Sequence, residues 1–351
     1  MRASRYRWSL AVWVLLIAYA SLYPFLPLRL PALDAAAAAA LKLRYVVAFD
    51  VVLNILAYMP IGVLATLYFS GTGDRTRAIA HAVGFGAILS LAMETCQLFI
   101  PGRVASVYDL LANTLGTLAG AIAFADPFHS VLTRPLGRWR EEVFVPGAMG
   151  DAGLMLVVLW LLAQLNPALP FFGAGNIAAT GEALLPGGAL DALSVALAIA
   201  GFGLFVSAVL RGDAGTLRVT LLLLSIALWL KFVAASVMLQ PNFAQEWVTA
   251  ARFAGLAGGV ALLAPLRRLP RAGRLYLAIL ALLAGALISK IFGAYSAVDE
   301  LLRLFRWPYG QLANFTTLTR FLHELWPVGA LTFLIALFLR DRRAARAIIA
   351  R

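Results

Sequence analysis

Apolar residues are distributed along the chain as long hydrophobic stretches separated by shorter polar segments. A helix that crosses a bilayer needs about 20 mostly apolar residues, and a window of that length gives ten candidate spans. They cover residues 8–26, 47–69, 79–100, 108–125, 151–172, 189–210, 219–239, 251–266, 273–293 and 326–340. The pattern predicts an all-α, polytopic integral membrane protein with about ten transmembrane helices.

Composition and charge agree with lipid as the solvent. Apolar residues make up 62% of the 351 residues and charged residues 13%, against about 45–50% and about 25% in soluble domains. The net charge of +12 would suggest nucleic acid in a soluble protein. Here, however, 19 of the 29 basic residues fall in the segments on the N-terminal side of the membrane and only seven on the other. The positive-inside rule therefore predicts that both termini are cytoplasmic and that no nucleic acid is bound.

A faint repeat suggests how the chain is organised. Asp50 resembles Asp191, and the pair Gly116 and Gly120 resembles Gly255 and Gly259, at a spacing of about 140 residues. A parallel duplication that has degenerated is one reading, and chance likeness of Leu/Ala/Gly-rich helices is the other. The predicted domains are a four-helix domain over 1–126, a cytoplasmic linker over 127–150, a second four-helix repeat over 151–272, and a terminal pair over 273–351. Outer interfacial helices are predicted over 32–44 and 298–307.

Three acid and amide pairs stand out within the first four spans. Members of each pair are three or four residues apart and share one helix face, and all three pairs lie near the predicted outer end of their spans. Arg103 lies on the short outer loop above them. These seven residues are the predicted ligand-binding set: Asp50, Asn54, Glu94, Gln97, Arg103, Asp109 and Asn113.

Two readings of this set remain open. It could be a self-contained network, with amides bonded across helices and Arg103 paired with Glu94 or Asp109. Three carboxylates and one guanidinium would nevertheless leave two negative charges in a low-dielectric layer, which is costly. An outward-facing polar cleft for a ligand avoids that cost. A divalent cation at Asp50, Glu94 and Asp109 is the one cofactor the residues suggest, and no catalytic motif or established metal site is present.

The second half lacks this set. It retains Asp191, but Val195, Ala235 and Met238 occupy positions equivalent to Asn54, Glu94 and Gln97, and Arg252 lies near the Asn113 equivalent. We therefore expect a scaffold there. Lys231 lies near mid-span without an obvious acidic partner, and contact with a lipid phosphate is one reading of it.

The order and spacing of the polar positions resemble a known family. Asp50-x3-Asn54-x5-Pro60-Ile-Gly62, Glu94-x2-Gln97 and Arg103-x5-Asp109-x3-Asn113-x2-Gly116 are similar to the VanZ-like family of bacterial membrane proteins, over about residues 10–125. The resemblance implies a bacterial inner-membrane protein with a cell-envelope role, because the family's named member is associated with teicoplanin resistance and related domains occur near exopolysaccharide functions. It implies no reaction. Pro60, Gly62, Gly116 and Gly120 are predicted to be structural, the last two as a helix-packing groove.

Three functions follow as hypotheses. The first is a non-enzymatic protein that binds a glycopeptide or a lipid-linked peptidoglycan or polysaccharide precursor and contributes to glycopeptide resistance. The second is a membrane enzyme acting on a polyprenyl-linked headgroup, with the acids holding a cation or serving as general base. The third is a flippase or transporter, which the one-sided charged layer disfavours because transporter sites are usually at the midplane. Membrane lipids are expected partners in each case, and the sequence does not fix the oligomeric state.

Overall fold

The computed structural model describes residues 3–30, 48–70, 74–101, 103, 105–125, 128–169, 171, 187–212, 215–243, 249–292, 303–306 and 311–349. Within these residues the chain forms eleven α-helices, a π-helical turn, a 3-10 turn and two isolated β-bridges, with no longer strand. The predicted all-α class is confirmed.

The helices follow the predicted spans closely. They are α1 Ala3–Leu22, α2 Ala48–Phe69, α3 Arg75–Gln97, α4 Val107–Ile122, α5 Arg134–Val143, α6 Gly147–Gln164, α7 Gly187–Val209, α8 Thr216–Met238, α9 Ala250–Leu266, α10 Arg271–Phe292 and α11 Gln311–Ile349. Ten of them overlap the ten candidate spans, and α5 lies in the predicted linker.

In the part of the chain that the structure describes, seven helical segments are long and apolar enough to cross a membrane: Asp50–Phe69, Arg75–Gln97, Gly147–Gln164, Gly188–Val209, Thr216–Met238, Arg271–Ile288 and Leu312–Arg343. Shorter apolar segments are Tyr6–Leu22 and Ala250–Leu266. Helix α4 has 16 residues, so it rises about 24 Å, less than the hydrocarbon thickness of about 30 Å. The chain is a polytopic all-α membrane protein, and the total of ten crossings stays a prediction.

The C-terminal part differs from the sequence expectation. Helix α11 begins at Gln311, not near residue 326, and continues through Pro327. Its first turns carry Asn, Thr, Arg, His and Glu residues, which lowered the mean hydropathy below that of a span, although Leu312 and Leu322 are buried. Of the predicted interfacial helices, residues 32–44 and 298–302 lie outside the described residues. Residues 303–306 form a turn, and Phe305 makes a β-bridge to Leu239.

The chain divides into two compact units. Unit 1 comprises Met1–Glu141 with Gly310–Leu318, and unit 2 comprises Glu142–Tyr309 with Thr319–Arg351. The division after residue 141 falls within the predicted linker 127–150. The finer four-part division of the chain stays a prediction.

In unit 1, glycines bring α2 and α4 into backbone contact. A Cβ added at Gly116, Gly120 or Gly62 would overlap the carbonyl oxygens of Ile55, Met59 and Thr117, respectively. Since residue numbers rise together along both helices in these contacts, α2 and α4 are parallel. Helix α3 runs antiparallel to them, with Gly86 packed on the Thr117 side chain. Trp13 ties α1 to α2 by donating to the Ala57 carbonyl at 2.9 Å.

In unit 2, α7 is the central helix. Of its apolar window, 78% is buried, against 33% or less for the other six long segments. Phe202 stacks on Trp160 with ring centroids 4.0 Å apart, and Phe205 meets Phe333 edge-on. Trp326 packs on Phe202 and Phe205, and its Nε1–H donates to the Leu156 carbonyl at 2.7 Å. Aromatic packing around α7 therefore forms the core of this unit.

The glycine contact recurs in unit 2. A Cβ at Gly255 would overlap the carbonyl oxygen of Ala192, and one at Gly259 that of Ala196. The parallel duplication stays a prediction, and this pairing changes its predicted register. It aligns Asp191 with Asn54, one helical turn from the predicted match to Asp50, and it aligns Arg252 with Asn113.

Candidate functional site

The polar face of α2 extends deeper into unit 1 than the predicted pair. Asp50 and Asn54 are half-buried, and Tyr58 follows one turn later with only 2% of its surface exposed. Gly62 continues the same face at the contact with α4. Carboxylate, amide and phenol therefore line one side of the helix in succession.

The polar face of α3 is buried as well. Ser90, Glu94 and Gln97 are 0%, 8% and 5% exposed. Gln97 Nε2 donates to the Ser21 carbonyl at the end of α1, at 3.0 Å. Glu94 Oε2 accepts the Ser106 backbone N–H, at 2.7 Å, immediately before α4 begins. A carboxylate at a helix N-terminus is stabilised by the helix dipole, so Glu94 has a defined position against α4.

The first turns of α4 complete the arrangement. Asp109 is half-buried, whereas Asn113 and Thr117 are 5% and 0% exposed. Asn113 Nδ2 donates to Ser90 Oγ at 2.9 Å, and Thr117 Oγ1 donates to the Asn113 carbonyl at 2.9 Å.

Electrostatic contacts join the three faces. Asp109 interacts electrostatically with Glu94. Tyr58 lies within the electrostatic reach of Glu94 and Asp109. These contacts join Tyr58, Ser90, Glu94, Asp109, Asn113 and Thr117. Asp50, Asn54 and Gln97 lie on the same helix faces, and we call all nine residues the polar cluster.

Two amide atoms in this cluster lack partners. Asn54 Nδ2 and Asn113 Oδ1 are buried, and neither has a hydrogen-bond partner within the described part of the chain. Buried polar groups are normally satisfied, and an unmet one costs about 1–3 kcal/mol. Asn54 therefore has an unused donor on α2 and Asn113 an unused acceptor on α4, and the buried Tyr58 hydroxyl on α2 also lacks a hydrogen-bond partner within the described residues.

This ordered set of positions, now placed in one cluster, can be compared with known proteins. Residues 8–130 match the VanZ/LLP1 family model. The predicted resemblance over about residues 10–125 is confirmed, and the VanZ-like segment ends shortly before α5. No curated protein and no solved structure matches the chain.

In the VanZ-like segment, Arg103 does not make the pairing with Glu94 or Asp109 that the sequence left open. Its guanidinium donates to the carbonyls of Tyr23 and Ala20, beyond and within the end of α1, and to Asn314 Oδ1 on α11. Burial lowers the pKa of Arg103 below its ordinary value, but a guanidinium stays protonated at neutral pH. Arg103 therefore anchors helix ends beside the polar cluster, and Glu94 is held by a backbone N–H.

Sequence reasoning missed four residues around this cluster. Tyr58, Ser90 and Thr117 each lie one turn further into the bundle on a face that already carries a predicted residue, so extending the i, i+4 pattern would have found them. Asn314 left no such signal, because its segment was predicted to be an outer loop.

The candidate cation site has no further support from geometry. Within the described residues, no group of three or more His, Cys, Asp or Glu side chains is arranged to hold a metal ion. A cation at Asp50, Glu94 and Asp109 stays a prediction, and so does the ligand-binding role of the seven predicted residues.

Proposed function

We propose that the polar cluster of the VanZ-like segment binds the amide-bearing headgroup of a lipid-linked cell-envelope precursor. The observation that carries the proposal is the pair of unpartnered buried atoms, Asn54 Nδ2 and Asn113 Oδ1. A peptide group presents one carbonyl and one N–H, so it satisfies both at once. Glu94, fixed by Ser106 N–H, leaves its second carboxylate oxygen to accept a further ligand donor.

The membrane setting narrows the ligand class. The cluster lies at one end of a bundle whose outer surfaces carry exposed apolar side chains such as Leu56, Leu91 and Leu115, which suit acyl chains. A ligand that binds the cluster therefore has its polar headgroup near the membrane surface and its hydrocarbon chain beside the exposed apolar side chains. Peptide-bearing, lipid-linked peptidoglycan precursors combine a lipid anchor with amide groups. A glycopeptide of the teicoplanin type shares the amides and is the second candidate ligand.

Binding by variants of the full chain in nanodiscs tests this proposal. The probe is a polyprenyl-diphosphate-linked peptidoglycan precursor with its peptide stem. Asn113→Leu and Asn54→Leu should each weaken binding about tenfold, because one ligand hydrogen bond is lost at about 1–1.5 kcal/mol. Thr114→Val is the matched control, since Thr114 Oγ1 bonds only within α4, to the Leu110 carbonyl. Wild-type affinity in both Asn variants would contradict the proposal.

Asn113 also has an internal role, which a second variant separates. Ser90→Ala removes the acceptor of Asn113 Nδ2 and leaves Asn113 Oδ1 in place. It should lower the thermal midpoint and change the affinity by less than Asn113→Leu does. If Ser90→Ala weakens binding as much as Asn113→Leu, the effect is structural and the proposed contact is wrong.

The enzyme hypothesis rests on the same carboxylates, and the same sample decides it. After incubation with the chain, the mass of the bound precursor is measured. An unchanged mass together with tight binding supports a binding protein. A product that disappears with Glu94→Gln would replace the binding role by catalysis.

A further inference from the structure

Unit 2 buries a lysine in its interior. Lys231 on α8 is fully buried, and its Nζ donates to the carbonyls of Asn166 and Leu169, both at 2.8 Å. These carbonyls follow the C-terminal end of α6, where the helix dipole favours a cation. Within the described residues no carboxylate pairs with Lys231. An ammonium has three N–H donors, and these two carbonyls accept two of them.

A second cation lies near it. Arg252, in the first turn of α9, forms an ion pair with Asp191 of α7, with Nε and Oδ2 3.2 Å apart. Arg252 is close enough to Lys231 for their charges to interact. Among the residues that the structure describes, the cluster holds two cationic side chains and one carboxylate. The scaffold role that the sequence predicts for the second half is not tested by this cluster.

A cavity opens at this cluster between α8 and α9. It is a shallow site, open on one side, and is lined by Phe171, Leu228, Arg252, Phe253 and Leu256. Four of these side chains are apolar and Arg252 alone is charged. Phe253 is 48% exposed, so the cavity is bounded by a residue on the surface of the helix bundle. The lining therefore contains one group that can bind an anion, the Arg252 guanidinium, and apolar side chains that suit a hydrocarbon chain.

We propose that this α8–α9 cavity binds the anionic phosphate headgroup of a membrane lipid. The Arg252 guanidinium, positioned by Asp191, contacts the phosphate, since guanidinium binds phosphate with several donors in a fixed geometry. Lys231 does not touch the ligand, and its protonated form adds positive charge near the Arg252 guanidinium. Leu228, Phe253 and Leu256 contact the upper part of the acyl chain. The site is independent of the polar cluster in unit 1.

Native mass spectrometry of the full chain with added lipid tests the site. The probes are phosphatidylglycerol and phosphatidylcholine at equal concentration. Leu256→Trp fills the cavity without changing charge, and Leu262→Trp, at a residue on α9 that is 45% exposed and does not line the cavity, is the matched control. Phosphatidylglycerol should be retained preferentially by the wild type and by Leu262→Trp, and at least fivefold less by Leu256→Trp. Equal retention of both lipids, or undiminished retention by Leu256→Trp, would overturn the proposal.

Two further measurements complete the test. Lys231→Met should lower phosphatidylglycerol retention several-fold while phosphatidylcholine retention is unchanged. If that variant does not fold because the Asn166 and Leu169 carbonyls lose their donor, the Leu256→Trp comparison decides. Inorganic phosphate at the lipid concentration should not displace phosphatidylglycerol. Displacement would show that the site takes free phosphate, and the lipid assignment would be wrong.

Discussion

Buried polar atoms in unit 1 have sharply different roles. Arg103 bonds to two carbonyls near the end of α1 and to Asn314, and so orders the backbone around the polar cluster. Glu94 holds the start of α4 through Ser106 N–H. Asn54 Nδ2 and Asn113 Oδ1 instead have no partner within the described residues. Neighbouring residues of similar chemistry thus divide into groups that anchor the backbone and buried groups without a partner in the described part of the chain, which the proposed function assigns to the ligand.

Replacing Arg103 should destabilise unit 1 without removing the ligand contacts. Arg103→Gln loses charged hydrogen bonds to carbonyl oxygens, and we expect a loss of about 2 kcal/mol, seen as a lower thermal midpoint of the full chain in detergent. Arg29→Gln is the matched control, because the Arg29 side chain is exposed. Equal midpoints for the two variants would show that the Arg103 contacts contribute nothing to stability.

The cluster was only partly predictable from sequence. Acid and amide residues three or four apart must share a helix face, so the three pairs and their common end follow from helical period and alternating direction. The partners of Arg103 could not be predicted, because Tyr23 and Ala20 accept through backbone carbonyls that any residue carries. Tyr58 required following the same face one turn further.

Helix contacts in both units depend on glycine. On α4, Gly116 and Gly120 lie against carbonyl oxygens of α2, which brings the polar faces of the two helices together. In unit 2, Gly255 and Gly259 do the same for α9 and α7. The helix ends that carry Asn54 and Asn113, or Asp191 and Arg252, are thereby set opposite each other.

Alanine at the α2–α4 contact should separate the helices. Gly116→Ala or Gly120→Ala forces a methyl group into a backbone carbonyl, and we expect at least about 2 kcal/mol of destabilisation, measured by the thermal midpoint. Gly84→Ala is the control, because a Cβ there meets nothing within 4 Å. It should be neutral or slightly stabilising, since alanine favours a helix. If Gly120→Ala changes the thermal midpoint no more than Gly84→Ala does, the proposed close contact is wrong.

The elements themselves were largely predictable, since apolar runs of membrane length have few alternatives to helix. The exception was α11, which begins at Gln311. Its polar first turns include Asn314 within unit 1, where Arg103 meets the amide. Mean hydropathy cannot predict such a contact, because it depends only on the residue types in a window and not on the side chains that they meet in the fold.

At the scale of the whole molecule, charge and length give a membrane orientation that the structure does not test. Excess Arg on alternate loops predicts that both termini are cytoplasmic. The two-unit division and the recurring glycine contact are compatible with duplication. The sequence could not predict that Asp191 aligns one helical turn away from its expected counterpart. The alignment of the two halves depends on which backbone carbonyls the glycines of α4 and α9 contact.

Thiol labelling of intact cells tests the orientation. In a Cys96→Ser background, Pro101→Cys and Ser130→Cys each introduce one exposed cysteine. A membrane-impermeant maleimide should label Pro101→Cys in intact cells and Ser130→Cys only after permeabilisation. The reverse pattern would invert the predicted topology and place the polar cluster at the cytoplasmic surface.

In the proposed function, the polar cluster recognises amide groups of a membrane-anchored headgroup. The most direct measurement compares the affinity of the wild-type chain in nanodiscs for two polyprenyl-diphosphate-linked precursors, one with and one without its peptide stem. We predict about tenfold tighter binding of the peptide-bearing form, as expected for about 1.4 kcal/mol, and loss of that preference in Asn113→Leu. Equal affinity for the two precursors would contradict the account.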